Sequence, residues 1–230
     1  MKKTLPINML HDLPETGTAH ARLLLAHGAG APMDSAFMNQ ITALLAARGI
    51  AVTRFEFSYM AARRTGAARR PPPRAERLVE EFANAIIKLT NEPEIAPLPL
   101  LIGGKSMGGR IATMLADQFY NSGTFKAVVA LGYPFHPSHK PDKLRTAHLE
   151  NLKAPLLIAQ GERDTLGTRD EVQTYRLSKH VEFAWATDGD HDLKPRRSAA
   201  VDHQANLNFA ADAIADFSRR HATTTTRSSL

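Results

Sequence analysis

Residues 98–110 read Leu-Pro-Leu-Leu-Ile-Gly-Gly-Lys-Ser-Met-Gly-Gly-Arg, with a serine between glycines directly after an apolar run. The following residues space their apolar side chains as a helix does, so the stretch predicts a strand, a sharp turn and a helix. Ser106 stands at the turn, in a Gly-x-Ser-x-Gly motif with Gly104 and Gly108. Larger side chains at the two glycines would collide where the backbone folds back. The motif therefore predicts an exposed, nucleophilic serine.

A glycine-rich stretch of this kind has two other interpretations. A phosphate-binding loop requires its first glycine five residues before the Gly-Lys pair. Position 99 is proline, so this interpretation fails. A glycine-rich turn that only allows close packing stays open as the alternative to a nucleophile.

Apolar runs of strand length alternate with amphipathic helical stretches along most of the chain. Several of these runs are continuously apolar, as expected for strands buried on both faces of a parallel sheet. The predicted strands are residues 22–27, 51–57, 99–103, 126–131, 155–160 and 181–186. The predicted helices are residues 37–48, 78–89, 107–119, 169–177 and 199–219. The alternation predicts an α/β fold with a mostly parallel sheet.

The composition is that of one globular domain, with 230 residues, 43% hydrophobic and 23% charged. We expect this domain to span residues 1–221 and residues 222–230 to form a disordered tail, because the tail lacks apolar periodicity. The absence of cysteine excludes disulfides, thiolate nucleophiles and cysteine-bound metals. The first residues lack the apolar region of a signal peptide, and no run reaches the roughly 18 apolar residues of a membrane span. We expect a cytoplasmic protein with no membrane partner.

The net charge of +6 comes mostly from residues 63–77, which hold six arginines and one acid. This segment follows a predicted strand, so it leaves the sheet at the carboxyl end, where active sites of open α/β sheets lie. We predict that Arg63, Arg64, Arg69 and Arg70 contact an anionic group of the substrate. A solvated loop is the alternative. Without stacking aromatic residues or a recognised motif, a nucleic-acid partner is not expected.

A serine hydroxyl needs a base, and the base needs a carboxylate that orients it. Asp164 follows one predicted strand and His191 follows the next, so serine, aspartate and histidine occur in that order along the chain. We predict that Ser106, Asp164 and His191 form a catalytic triad. The acid could also be one of three neighbours, which are Glu162, Asp188 and Asp190.

The run Leu24-Leu25-Ala26-His27-Gly28-Ala29-Gly30 predicts a strand that ends in small residues. Such backbone can approach a reacting carbonyl closely and aim N–H groups at a developing oxyanion. We predict that the N–H groups of Ala29 and Met107 form this oxyanion hole and that His27 is structural. An ordinary glycine turn is the alternative.

Together, Ser106, Asp164, His191 and the His-Gly-x-Gly loop resemble the α/β-hydrolase superfamily over about residues 20–220. The segments around residues 27, 54 and 104 resemble a branch of predicted hydrolases akin to dienelactone hydrolases. The resemblance implies a single-domain α/β-hydrolase fold with helices flanking the sheet. Dienelactone hydrolases use a cysteine nucleophile, which this chain lacks, so their substrate is not carried over. Relatives in that branch are subunits of chromatin complexes, which implies a second hypothesis, a noncatalytic interaction protein that keeps the fold.

The leading hypothesis is a serine hydrolase that cleaves an ester, thioester or related acyl bond of a small molecule without a cofactor. Only 23 residues separate the strands that end at Leu131 and begin at Pro155, so no large lid domain fits there. No metal is expected at the histidines between them, because carboxylates at ligand spacing are missing. Lys105 either pairs with a carboxylate as structural support or tunes the site with its charge. Substrate and oligomeric state stay open.

Overall fold

A seven-stranded sheet forms the centre of the molecule, in a computed structural model that describes residues 7–15, 17–91 and 98–222. Its strand order is β1-β3-β2-β4-β5-β6-β7. The strands are β1 Met9–Asp12, β2 Ala21–Ala26, β3 Ile50–Phe55, β4 Leu100–Lys105, β5 Ala127–Leu131, β6 Leu156–Gly161 and β7 Val181–Ala186. Strand β1 lies at one edge of the sheet, where its single partner is β3, and it is the strand that runs antiparallel to the others. The expected mostly parallel sheet is confirmed.

Six α-helices lie between or after these strands within the described residues. They are α1 Ala36–Ala46, α2 Ser58–Arg64, α3 Ala75–Thr90, α4 Met107–Asn121, α5 Arg169–Val172 and α6 His203–His221, with a 3₁₀ turn at Ala147–Leu149. Side chains of α3 and α4 pack with Leu24 against one face of the sheet. Those of α1 and α6 pack with Leu23 and Leu25 against the other. Successive strand residues point to opposite faces, so a continuously apolar strand fills both layers.

The six predicted strands are all present, with ends that differ from prediction by no more than two residues. The strand Met9–Asp12 and the helix Ser58–Arg64 were not predicted. Helix α5 ends at Val172 rather than Leu177, because the bonds that follow it run from Thr174 and Tyr175 to carbonyls three residues earlier. Most of the expected disordered tail, residues 223–230, lies outside the described residues, and the domain boundary at residue 221 stays a prediction.

Strand order brings the sequence-distant motifs together. Strands β4, β5, β6 and β7 are consecutive neighbours and run parallel. Their carboxyl ends therefore meet at one edge of the sheet. Ser106 follows β4, Asp164 follows β6 and His191 follows β7, so all three predicted triad residues leave the sheet at this edge.

Candidate active site

The structure brings Ser106, His191 and Asp164 into one hydrogen-bonded chain. Ser106 Oγ lies 2.9 Å from His191 Nε2, and His191 Nδ1 lies 2.7 Å from Asp164 Oδ2. An ionised carboxylate can only accept, so Nδ1 carries the proton that it donates to Asp164. In the neutral ring Nε2 is then free to accept the Ser106 hydroxyl proton, which is the tautomer that a general base requires.

The backbone at Ser106 is held in a conformation that residues other than glycine rarely adopt, with φ +52° and ψ −115°. Ser106 N donates to Leu131 O at 2.8 Å, and Arg110 N donates to Ser106 O at 3.0 Å, which fixes the turn between β4 and α4. A Cβ atom on Gly104 would collide with the backbone of Gly108, and one on Gly108 would lie 2.6 Å from His27 O. The glycines thus allow the tight turn that exposes the serine.

Asp164 is fully buried, and each of its carboxylate oxygens accepts further hydrogen bonds. Leu166 N donates to Oδ1 at 2.9 Å, and Gln160 Nε2 donates to Oδ2 at 2.8 Å. Gln160 also accepts from Tyr133 N at 2.6 Å, so its amide joins the ends of β5 and β6 behind the acid. These donors replace the water that burial removes, so the hydrogen-bonding needs of both carboxylate oxygens are met inside the protein. Gln160 was not singled out from the sequence, although it is a polar residue at the end of the apolar run Leu156-Leu157-Ile158-Ala159.

The three alternative acids are engaged elsewhere. Glu162 pairs with Arg169 at 2.7 Å. Asp188 binds Arg196, whose hydrogen bonds lower the pKa of Asp188 to about 2. Asp190 Oδ1 accepts from two backbone N–H groups of its own turn. None of the three carboxylates has a described contact with the ring of His191.

The loop that follows β2 lies beside the nucleophile, where a side chain on Gly28 would contact Ser106 Cβ at 3.7 Å. Within the described residues, the N–H groups of Ala29 and Met107, the predicted oxyanion donors, form no hydrogen bond. Met107 is the first residue of α4, where N–H groups lack intrahelical partners. The Tyr59 hydroxyl donates to Ala29 O at 2.9 Å, a contact that the sequence did not indicate.

His27 holds the same loop from within. Its Nδ1 lies 2.7 Å from Gly28 O, and its Nε2 accepts from Phe57 N at 3.1 Å. Burial lowers the pKa of this histidine, which keeps the ring neutral with its proton on Nδ1. The ring therefore links the loop after β2 to the end of β3.

Lys105, next to the nucleophile, is tied to the histidine loop. Its Nζ donates to His191 O at 2.8 Å, pairs with Asp192 Oδ1 at 3.0 Å and lies 5.2 Å from the centre of the Phe37 ring. The residue is only 7% exposed, and burial lowers its pKa. Of the two arrangements expected from the sequence, the structure shows pairing with a carboxylate.

The four arginines that were predicted to contact an anion differ in their surroundings. Arg64 Nε lies 2.6 Å from Glu56, and its Nη2 lies 2.8 Å from Asp34, so its charge is paired rather than free. Arg63 donates to Arg70 O at 2.6 Å. Arg69 and Arg70 are exposed and form no ion pair within the described part of the chain. No described contact joins these four arginines to the triad.

Two further expectations concern metals and membranes. Within residues 7–15, 17–91 and 98–222, no cluster of three or more histidines, aspartates or glutamates is arranged to hold a metal ion. Across those same residues, no helix combines the length and the apolar character that crossing a membrane would take.

The model of the alpha/beta hydrolase domain family matches residues 19–219. The chain therefore belongs to this family. Solved structures share the α/β architecture expected from the sequence over nearly the whole chain, and one of them is described as lacking a lid.

Three of these structures illustrate the likeness. A dienelactone hydrolase from Anabaena variabilis is 20% identical, with 94% of this chain and 93% of that chain covered and a TM-score of 0.70. A lid-less alpha/beta serine hydrolase from Xanthomonas campestris is 15% identical, with 96% and 91% covered and a TM-score of 0.68. The esterase domain of a Rhodothermus marinus protein is 18% identical, with 95% and 100% covered and a TM-score of 0.64.

Proposed function

We propose that this chain is a serine hydrolase that cleaves an ester, thioester or related acyl bond of a small molecule. The observation that carries the proposal is the unbroken chain of hydrogen bonds from Ser106 through His191 to the buried carboxylate of Asp164. A buried acid, an oriented imidazole and a serine on a strained turn each cost stability, and their convergence on one point is what nucleophilic catalysis requires. Family membership and the serine hydrolases among the structural neighbours support the same reaction class.

The proposed reaction has two stages. Ser106 Oγ attacks the carbonyl carbon while His191 Nε2 takes the hydroxyl proton, and the N–H groups of Ala29 and Met107 donate to the resulting oxyanion. The tetrahedral intermediate collapses to an acyl-serine as the imidazolium returns the proton to the leaving alcohol or thiol. A water molecule then attacks the acyl-serine with His191 as base, which releases the acid and restores Ser106.

Asp164 holds His191 in the tautomer that this sequence needs and stabilises the imidazolium that forms. Its second oxygen is occupied by Leu166 N, and Gln160 shares the oxygen that binds the imidazole, so the carboxylate cannot turn away. Protonated imidazole cannot accept the serine proton, and activity should therefore fall in acid. No cofactor takes part in any step.

The experiment is hydrolysis of 4-nitrophenyl acetate and butyrate by the purified protein and by Ser106→Ala. We expect kcat/KM to fall at least about a hundredfold in the variant, with residual rate from the remaining site. Ser122→Ala is the matched control, because Ser122 is exposed at the other end of the same helix. Equal catalysed rates for the wild type and Ser106→Ala would overturn Ser106 as the nucleophile, and a wild type with no rate above the uncatalysed one would favour the noncatalytic interaction protein.

A further inference from the structure

Two arginines near the proposed nucleophile have no carboxylate partner within the described residues. Arg110 lies on α4, four residues after Ser106, and Arg145 lies in the connection from β5 to β6. Both are partly buried, and the Nε atom of Arg110 is buried with no hydrogen-bond partner. A half-buried guanidinium normally has an acceptor, because its N–H groups lose water on burial.

A line of uncharged side chains joins the backbones of these two arginines. The Thr113 hydroxyl donates to Arg110 O at 2.7 Å and lies 2.9 Å from His148 Nε2. His148 Nε2 in turn lies 3.4 Å from the Tyr133 hydroxyl, which donates to Arg145 O at 2.9 Å. The two residues are therefore held on neighbouring elements by a fixed polar network.

None of the side chains in this network offsets the positive charge. Burial, and then the charge of Arg110, lower the pKa of His148 to about 4, so its ring is neutral at pH 7. Burial raises the pKa of Tyr133 to about 12, so its hydroxyl stays protonated. Burial and the neighbouring Arg110 also lower the pKa of Arg145, as expected where two cations face each other.

The pair lies at the end of the sheet that holds the triad. Arg110 N donates to Ser106 O, and four residues of helix place the two Cα atoms about 6 Å apart along the axis. Tyr133 directly follows Gly132, where any side chain would contact the ring of His191 at 3.3 Å. Arg110 is thus one helical turn from the proposed nucleophile, and Arg145 accepts a hydrogen bond from the residue that follows Gly132 beside His191.

We propose that Arg110 and Arg145 form an anion subsite of this active site and that the acyl substrate carries a carboxylate. Guanidinium groups bind carboxylates through paired, charge-assisted hydrogen bonds, which supply the acceptors that both arginines lack. This inference rests on the proposed hydrolase function and names its substrate class. In this proposal the anion contacts come from Arg110 and Arg145, which the fold positions, rather than from the exposed Arg69 and Arg70.

The kinetic test compares matched anionic and neutral esters. One pair, 4-acetoxybenzoate and 4-acetoxybenzamide, has the charge on the leaving group. The other, the 4-methylumbelliferyl monoester of adipic acid and its terminal amide, has the charge on the acyl group. We expect kcat/KM of the wild type to favour the anionic member of at least one pair about tenfold or more.

Three variants then locate the preference. Arg110→Gln and Arg145→Gln should each lower the anionic-to-neutral ratio at least about fivefold. Arg219→Gln is the matched control, since Arg219 is an exposed arginine near the carboxyl end of α6 and should leave the ratio unchanged. Arg110→Lys keeps the charge without the paired donors and should give an intermediate ratio, which also covers a failure of Arg110→Gln to fold.

A binding measurement separates this inference from the proposed function. Titration calorimetry of benzoate and benzamide into the Ser106→Ala protein requires no catalysis. Benzoate should bind in preference to benzamide, and Arg110→Gln should weaken benzoate binding about tenfold. If the wild type hydrolyses no ester but benzoate binding depends on the arginines, the anion subsite would be supported and the hydrolase function would be contradicted. Hydrolysis without anionic preference in either pair, or a preference that survives Arg110→Gln and Arg145→Gln, would overturn the subsite.

Discussion

The turn from residue 103 to residue 110 and the arginine segment from residue 63 to residue 77 were both prominent in the sequence, yet only the first could be placed from it. At the turn, backbone contacts leave no room for a side chain on Gly104 or Gly108, and Ser106 is held at φ +52°. In the arginine segment, most side chains are exposed. Steric restriction fixes position in three dimensions, whereas charge density alone does not.

Arg64 illustrates the difference. From the sequence it is one of six similar arginines, but in the structure its guanidinium pairs with Glu56 and Asp34, which lie 8 and 30 residues away. Its net effect on an approaching anion therefore depends on partners that the local sequence does not identify. By contrast, the contacts at Gly104 are local, because a Cβ there would meet the backbone of Gly108 and Gly109.

The largest expected effect concerns Asp164, which lies at the same edge of the sheet as the serine turn. Asp164→Asn should lower kcat by about 10³ to 10⁴, because its NH₂ group must replace one carboxylate oxygen and donors face both of them, Leu166 N at Oδ1 and His191 Nδ1 with Gln160 Nε2 at Oδ2. When the NH₂ group faces His191, the imidazole takes the wrong tautomer. Ester hydrolysis together with thermal melting measures this. Glu162→Gln, which removes a nearby carboxylate that binds Arg169, is the control and should cost far less. A folded, fully active Asp164→Asn would transfer the acid role to Glu162, Asp188 or Asp190.

A smaller effect is expected from a single methyl group in the turn. Gly104→Ala places a Cβ against the backbone of Gly108, where no flexible side chain can give way. We expect activity to fall about a hundredfold or the melting temperature to drop by several degrees, since about 1 kcal/mol corresponds to a few degrees. Gly30→Ala is the control, because a Cβ there has nothing within 4 Å. If the two variants behave alike, steric restriction does not explain the turn.

The smallest effect is expected in the arginine segment. Arg69→Ala/Arg70→Ala should change kcat/KM for 4-acetoxybenzoate less than about threefold, and only at low ionic strength, because exposed charges are screened beyond about 10 Å at 0.1 M salt. The measurement is kcat/KM of the wild type and the variant at about 20 mM and about 300 mM salt. A larger loss that persists at high salt would return Arg69 and Arg70 to the binding site.

Much of the sheet was predictable because its central strands are apolar on both faces and helices separate them. The edge strand Met9–Asp12 was missed since it has four residues, half of them exposed, and pairs with only one neighbour. Helix Ser58–Arg64 was missed because its arginines suggested a solvated loop, whereas Glu81 accepts from both the backbone and the hydroxyl of Ser58 at the helix start.

The candidate site was predictable to the extent that each residue follows a strand. Ser106, Asp164 and His191 were identified this way, and the strand order then brought them together. Gln160, Tyr59 and Arg145 were not identified, because their importance comes from partners distant in sequence. Gln160 accepts a hydrogen bond from Tyr133, 27 residues away, and Tyr59 donates one to Ala29, 30 residues away.

The central claim is that Ser106 is a nucleophile activated by His191, and labelling with a fluorophosphonate tests it most directly. The probe reacts with an activated serine, and mass spectrometry of the digested protein identifies the residue that carries it. We predict a stoichiometric adduct on Ser106 in the wild type, slow labelling of Asp164→Asn and none of Ser106→Ala. Absence of an adduct on folded wild-type protein, or an adduct that remains after Ser106→Ala, would contradict the account.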